Sequence, residues 1–221
     1  MGYININKKR ASSGAFYRLF RDERIANLMS STQACVISNG MGVSNKLIKS
    51  YNGKLPIFKG KEVNTTEKTL EVLKKNKTGC IIFGGFLYKK SGKKQEIDVI
   101  IYTKGKLFVC EIKDGNSLDT KKSTAEIDSI ISAVEFLNKL GYSSCVGKLI
   151  LMNLSSNGHS IKDDRASEFI MSGIKFCEKF LFDFNKFQDF QNNEAEQNKQ
   201  ITLNEFQTIL ELHGYSVQPP K

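Results

Sequence analysis

No stretch of the chain approaches the roughly 18 consecutive apolar residues that a membrane-crossing helix needs. The basic segment 1–10 lacks the apolar run of a secretory signal. A soluble cytoplasmic protein without a membrane partner is therefore expected. Cysteine is sparse and unpatterned: Cys35, Cys80, Cys110, Cys145 and Cys177 are odd in number and contain no Cys-x-x-Cys pair. A disulfide framework and a structural zinc site are both excluded, which leaves small core residues in a reducing compartment. The two histidines, His159 and His213, have no His or Cys neighbour at ligand spacing and are expected at the surface. No GK[ST] phosphate loop and no glycine fingerprint after a strand is present, so a nucleotide-dependent metabolic enzyme is disfavoured. There is no internal repeat.

Acidic charge is also in short supply, but only in part of the chain. The 221 residues carry a net charge of +10, of which residues 1–60 contribute +8, residues 61–125 contribute +6 and residues 126–221 contribute −4. Concentrated basic charge favours a polyanion through counterion release, so nucleic acid is the expected partner. A Lys- and Asn-rich composition inherited from a low-G+C genome is the alternative reading. The length suits one generous domain, or a core with appendages.

Residues 12–50 carry a helical pattern around Phe16, Leu19, Phe20, Ile25 and Leu28. NTTEKTLEVLKKNKTG then predicts a helix from Asn64 or Thr65 as N-cap, with Glu67 in its first turn and Gly79 after it. Three apolar runs follow, 80–88, 96–102 and 106–113, separated by Ser91-Gly92 and Lys104-Gly105. They read as a three-stranded meander. Gly84-Gly85 within the first strand suggests a bulge or a close backbone approach. Apolar Ile127, Ile130, Ile131, Val134 and Leu137 fit a helix, with Ser123 and Glu126 as a capping box and Gly141 at its end. A buried strand over 146–153, a helix over 163–180, a polar loop over 191–200 and a short final helix complete the chain. The Phe-rich segment 180–190 is either a dimer surface or buried against its own core. The order α-β-β-β-α-β argues for a mixed sheet covered by helices.

The chemistry concentrates on the hairpin between the second and third runs. A two-residue Lys104-Gly105 turn sets the pairing register so that residue numbers sum to about 209, by the geometry of such turns. Tyr102 then faces Leu107, Ile100 faces Val109, Asp98 faces Glu111 and Glu96 faces Lys113 on one side. Ile101/Phe108, Val99/Cys110 and Ile97/Ile112 fill the other. Opposed carboxylates on one face destabilise a sheet. A divalent cation bridging Asp98 and Glu111 is the simplest compensator, and oxygen ligands suit Mg²⁺. Lys113 projects on the same face, where its ammonium can orient a water or stabilise a pentavalent phosphorus, with a lowered pKa if it serves as the base. The ordinary alternative makes Asp98 an exposed edge carboxylate and Glu96/Lys113 a cross-strand ion pair.

The pattern, standing as Glu96-Ile97-Asp98 and Glu111-Ile112-Lys113, resembles the PD-(D/E)XK nuclease superfamily, the fold of many type II restriction endonucleases and of archaeal Holliday-junction resolvases. The resemblance covers residues 64–153. It departs at Ile97, where the named motif has proline. It implies an α/β (α+β) restriction-endonuclease-like core over 64–153, a basic N-terminal region over 1–63 and a helical C-terminal region over 154–221. It also implies that Asp98, Glu111 and the Ile112 main chain hold Mg²⁺, with Mn²⁺ able to substitute, and that Lys113 serves the water. Family members often add an acid from the helix before the meander. Glu67 matches that position and Glu71 is the fallback. Site-specific cleavage of double-stranded DNA by a homodimer is expected, with a cognate DNA methyltransferase acting on the same site as a partner. A junction resolvase and a non-catalytic DNA-binding protein are the alternatives. Lys8, Lys9 and Arg10, and Lys121 and Lys122 near a helix N-terminus, are candidate phosphate contacts.

Overall fold

The computed structural model describes residues 42–114, 120–154 and 163–212. Lys8, Lys9 and Arg10, the helical pattern near residue 20, His159 and His213 lie outside them. The chain divides into two compact units, Val43–Phe187 and a second made of Met1–Gly42 with Gln188–Lys221.

In the first unit the order is α1 (Val43–Ser50), β1 (Ile57–Lys59), a 3-10 turn (Gly60–Glu62), α2 (Thr66–Lys75), β2 (Gly79–Tyr88), β3 (Lys94–Thr103), β4 (Lys106–Lys113), α3 (Thr120–Lys139), β5 (Cys145–Leu151), α4 (Ala166–Phe169), β6 (Ile170–Ser172) and α5 (Gly173–Phe180). A last helix, α6 (Phe184–Leu212), begins here and continues into the second unit. The six strands lie side by side in chain order. The meander β2-β3-β4 is antiparallel, and β1, β5 and β6 join it in parallel. The expected α-β-β-β-α-β order is present as α2-β2-β3-β4-α3-β5, a mixed α/β sheet flanked by helices.

Two edge strands, β1 and β6, are additions to that expectation. Each has three residues, too short for an alternating pattern to be read. The helix expected over 163–180 is corrected to α4, β6 and α5. Ile170 and Met171 extend the sheet alongside Leu149 and Ile150, and the Ser172 hydroxyl accepts from the Lys175 N–H at 3.4 Å, restarting the helix. The loop expected over 191–200 is also corrected: these residues lie within α6. The run QNNEAEQNKQ contains no Gly or Pro and several good helix formers, so its polarity marks a solvated helix. There the Gln200 amide donates to the Asn204 side chain at 3.0 Å.

Helices cover both faces of the sheet. On one, Leu47 of α1 and Phe176, Cys177 and Phe180 of α5 pack with Phe182 and Phe187 over Ile81, Phe83, Val99, Ile101, Phe108 and Ile112. On the other, Leu73 of α2 and Ala133 and Leu137 of α3 cover Ile82, Ile100, Leu107 and Val109. Burial of each large apolar side chain contributes about 1.5–3 kcal/mol. Of the two readings of the Phe-rich segment, burial against its own core holds for Phe180, Phe182 and Phe187. Cys80, Cys110, Cys145 and Cys177 are free thiols. Burial pushes them up, Cys80 to about 11 and Cys145 and Cys177 to about 12, so they are unreactive. Among the described residues no helix is long and apolar enough to cross a membrane.

Local signals explain the elements that frame the site. Thr65 caps α2, its hydroxyl accepting from the Lys68 N–H at 3.2 Å. At the end of α3, Gly141 (φ +92°) lets Tyr142 N–H reach back to the Leu137 carbonyl and Gly141 N–H to that of Asn138. The start of α3 differs from expectation. The helix begins at Thr120, so Ser123 lies inside it, fully buried, and the capping box with Glu126 does not form.

Candidate active site

The β3–β4 hairpin turns at Lys104-Gly105, with φ of +50° and +74°, the double left-handed backbone that matches strand twist. The register follows as expected, with Thr103 opposite Lys106, Tyr102 opposite Leu107, Ile101 opposite Phe108, Ile100 opposite Val109 and Val99 opposite Cys110. There the paired rungs stop. One step further the Asp98 side chain takes the place of backbone: its Oδ2 accepts from the Ile112 N–H at 2.7 Å. A carboxylate on a backbone donor is a charge-assisted bond, and it ties the two strands together where the ladder ends.

The strand also changes face at this point. Val99 and Ile101 pack on the α5 side, as alternation requires, but Ile97 packs on the α2/α3 side with Ile100. On β2 the same switch separates Phe83 from Leu87. The register is kept across it, Phe83 with Val99 and Gly85 with Ile97, although the Gly84–Asp98 rung between them is missing, so no residue is inserted and Gly84-Gly85 is a twist, not a bulge. Gly84 adopts φ +67°, and a Cβ there would come within 3.1 Å of Glu96 Oε1. At Gly85 a Cβ would press on Ile82, Thr69 and Ile100. The close approach expected of the glycine pair is thus real. It lets α2 sit down on the strand, where the Thr69 hydroxyl accepts from the Phe86 N–H at 3.0 Å.

These two departures correct the predicted facing pairs. Ile97 does not share a face with Ile112, and Glu96 does not face Lys113. Glu96 instead lies opposite Phe86 and is exposed. The face switch brings Gln95 to the other side, where its amide donates to Glu111 Oε1 at 3.4 Å.

Asp98 and Glu111 nevertheless meet. Glu111 is buried, only 6% exposed. Burial, then the Asp98 charge and a hydrogen bond to it, push its carboxyl up to about 9. Two acids brought together at one site, one of them buried, disfavour both being charged at once. Lys113 Nζ forms an ion pair with Glu126 Oε1 at 2.8 Å, both side chains about a quarter exposed. Burial opposes the ammonium charge, but the hydrogen bond from Lys113 to Glu126 and the charges of Glu126, Asp98 and Glu111 outweigh it and raise the lysine pKa. The lowering that a base role would require is absent: the surrounding acids favour the Lys113 ammonium.

Both candidates for a third acid have partners of their own. Glu67 Oε1 accepts from the Tyr88 hydroxyl at 3.0 Å, and its own backbone N–H followed by that hydroxyl holds its carboxyl below the usual range. Glu71 pairs with Lys75 at 2.7 Å on the exposed face of α2. Lys121 and Lys122 lie in the first turn of α3. Among the described residues no group of three or more His, Cys, Asp or Glu is placed to hold a metal ion. The side-chain donor set is therefore the pair Asp98 and Glu111. Its members are hard oxygen donors with an unneutralised charge, which fits Mg²⁺ or Mn²⁺ and not a soft metal.

Gln95 and Glu126 complete the site and were not foreseen. Residues 59–130 match the nuclease-related domain, NERD. That span runs from the end of β1 to the middle of α3 and takes in Asp98, Glu111, Lys113 and Glu126. Two curated relatives extend the similarity. The chain is 29% identical over 163 residues to Ribonuclease M5 of Mycoplasma capricolum, covering 71% of this chain and 84% of that protein. It is 24% identical over 228 residues to the type II restriction enzyme HhaII of Haemophilus parahaemolyticus, covering 94% of this chain and 93% of that protein. The similarity is to nucleases, on a sheet compatible with a nuclease core.

Proposed function

We propose that the chain is a metal-dependent endonuclease of the PD-(D/E)XK type that hydrolyses phosphodiester bonds in double-stranded DNA at a specific site. The observation that carries this reading is the buried Glu111 beside Asp98, with the Lys113 ammonium at the same strand end. Such a pair is costly in a folded protein unless a cation or a phosphate-bound cation offsets it. Mg²⁺ would be held by Asp98, Glu111 and the Ile112 main chain, and when bound it would supply positive charge to the scissile phosphate and lower the pKa of a water. The protein's own groups do the positioning. Asp98 is fixed by the Ile112 N–H, Gln95 holds one oxygen of Glu111, and Glu126 keeps Lys113 charged and aimed. Lys113 then stabilises the developing charge on phosphorus oxygens and orients the attacking water. The likeness to HhaII over nearly the full length of both chains supports cleavage of restriction type, with a homodimer as the simplest means of cutting both strands. A cognate methyltransferase would protect the host site.

A second reading, hydrolysis of structured RNA, draws on the likeness to Ribonuclease M5. One experiment separates them. A plasmid, a four-way DNA junction and a folded RNA are incubated with the protein, with Mg²⁺ and with EDTA. Discrete plasmid bands that need Mg²⁺ support the proposal. Cleavage of only the junction or only the RNA replaces the substrate class. Cleavage undiminished in EDTA, or in Asp98→Asn, overturns the chemistry.

A further inference from the structure

The turn between β2 and β3 reads Lys89-Lys90-Ser91-Gly92-Lys93-Lys94, four lysines in six residues. Lys90, Lys93 and Lys94 are exposed and Lys89 partly so. No ion pair joins any of them to a carboxylate within the described residues. A flexible loop would spread such charge, but this one is built. Lys89 N–H donates to the Lys93 carbonyl and Gly92 N–H to the Lys89 carbonyl, both at 2.8 Å, with Gly92 at φ +76°. The turn is also tied to α3, where the Lys90 N–H donates to Ser132 Oγ at 2.8 Å. At its base Tyr88 packs edge-on against Phe136 of α3. Two acids, Asp128 and Glu135, line the groove beside it, and Asp128 is occupied by Arg165 at 2.7 Å.

Position gives the turn its meaning. Lys94 lies four residues before Asp98 on the same strand, roughly 13 Å at the rise of an extended chain. It lies at the end of the sheet that carries Asp98, Glu111 and Lys113. The opposite end carries the Lys104-Gly105 turn. A double helix laid across the carboxylates would meet the first lysine of this turn within about half a helical turn.

We infer that the Lys89–Lys94 turn is a preorganised clamp for the phosphate backbone of the duplex whose scissile bond lies at Asp98 and Glu111. The inference rests on the nuclease reading above. A rigid, unpaired lysine cluster contributes sequence-independent affinity and register by displacing counterions, and no base contact is required of it. The ligand is the duplex backbone, which DNA and RNA share.

The test compares two charge-matched variants of the full chain, Lys90→Gln/Lys93→Gln in the clamp and Lys77→Gln/Lys106→Gln at the opposite end of the sheet. Binding to a DNA duplex and to an RNA duplex of equal length is measured in EDTA over a salt series, so that no cleavage intervenes. Thermal melts check that both variants fold. The clamp variant should lose up to about 1.8 units of the slope of log K against log salt, from about 0.9 per phosphate contact. The control variant should keep the wild-type slope. The duplex on which the difference appears identifies the natural backbone. Equal slopes in the two variants overturn the clamp while leaving the nuclease reading intact. Absence of binding by the wild-type chain to either duplex overturns both.

Discussion

The two ends of the β3–β4 hairpin obey different rules. At the turn end, Lys104-Gly105 fixes a five-rung ladder whose register follows from turn chemistry alone. At the open end, the ladder gives way after Val99/Cys110, an aspartate replaces backbone as the partner of Ile112, and the strand rolls over so that Ile97 and Gln95 exchange faces. The turn end is stable because each local preference is met. The open end holds a buried acid against a half-buried one, a left-handed glycine and an irregular edge, the kind of local conflict that marks a candidate functional site.

The sharpest way to break this contrast is at the carboxylates. Asp98→Asn or Glu111→Gln should reduce Mg²⁺-dependent cleavage to background while duplex binding in EDTA is retained or improved, since each removes a repulsive charge. Near wild-type cutting by either, measured on plasmid, would remove the open end from the chemistry. Lys113→Ala should slow cleavage about 10²–10⁴-fold with little change in fold. Glu126→Gln should have a smaller effect on rate, and it should move the alkaline limb of the pH–rate profile down, because the partner that raises the Lys113 pKa is gone. A profile that stays in place would make Glu126 a structural residue only.

Stability sharpens the same comparison. Glu111 has a folded-state pKa raised to about 9, so the folded state binds its proton more tightly than the unfolded chain does. Its contribution favours folding below the ordinary glutamate range and is lost as pH rises from there toward 9. In EDTA, wild-type stability should therefore fall relative to Glu111→Gln across that window, and Mg²⁺ should restore it. Melting curves that run parallel for the two proteins from acid to alkaline pH would contradict the buried pair. The smallest effects come from the two turning points. Gly105→Ala, at φ +74°, and Gly84→Ala, at φ +67°, should each cost about 1–2 kcal/mol in chemical denaturation. Only Gly84→Ala should also lower the cleavage rate per folded molecule.

The meander, the α2 N-cap at Thr65, the Schellman end at Gly141 and the convergence of Asp98 with Glu111 were all legible in the residues, because each depends on turn chemistry, capping or period-2 alternation within a few residues. What was not legible depends on partners distant in sequence. Glu126 looked like a capping residue because Ser123 precedes it by three, and nothing local shows that α3 starts at Thr120 and lays this acid over Lys113. Alternation puts Ile97 on the Ile112 face, which a single left-handed glycine on the neighbouring strand reverses, and Gln95 lies outside the apolar run 96–102 altogether. The positive φ at Gly84 carries the only local hint, and it points to a close approach without telling which way the strand rolls. Edge strands of three residues carry too little pattern to be seen at all.

Every side chain placed in the site, from Gln95 to Glu126, comes from β3, β4 and the first turns of α3, with a two-residue turn joining the two strands. Nothing in it waits for β1, β6 or either terminus. Loop closure over so short a span is fast and entropically inexpensive. The site is thus local in the chain, and the contacts that build it, apart from the glycine of β2 that turns Gln95 inward, are short in sequence. The outer segments can therefore vary in sequence without touching the residues that make this site.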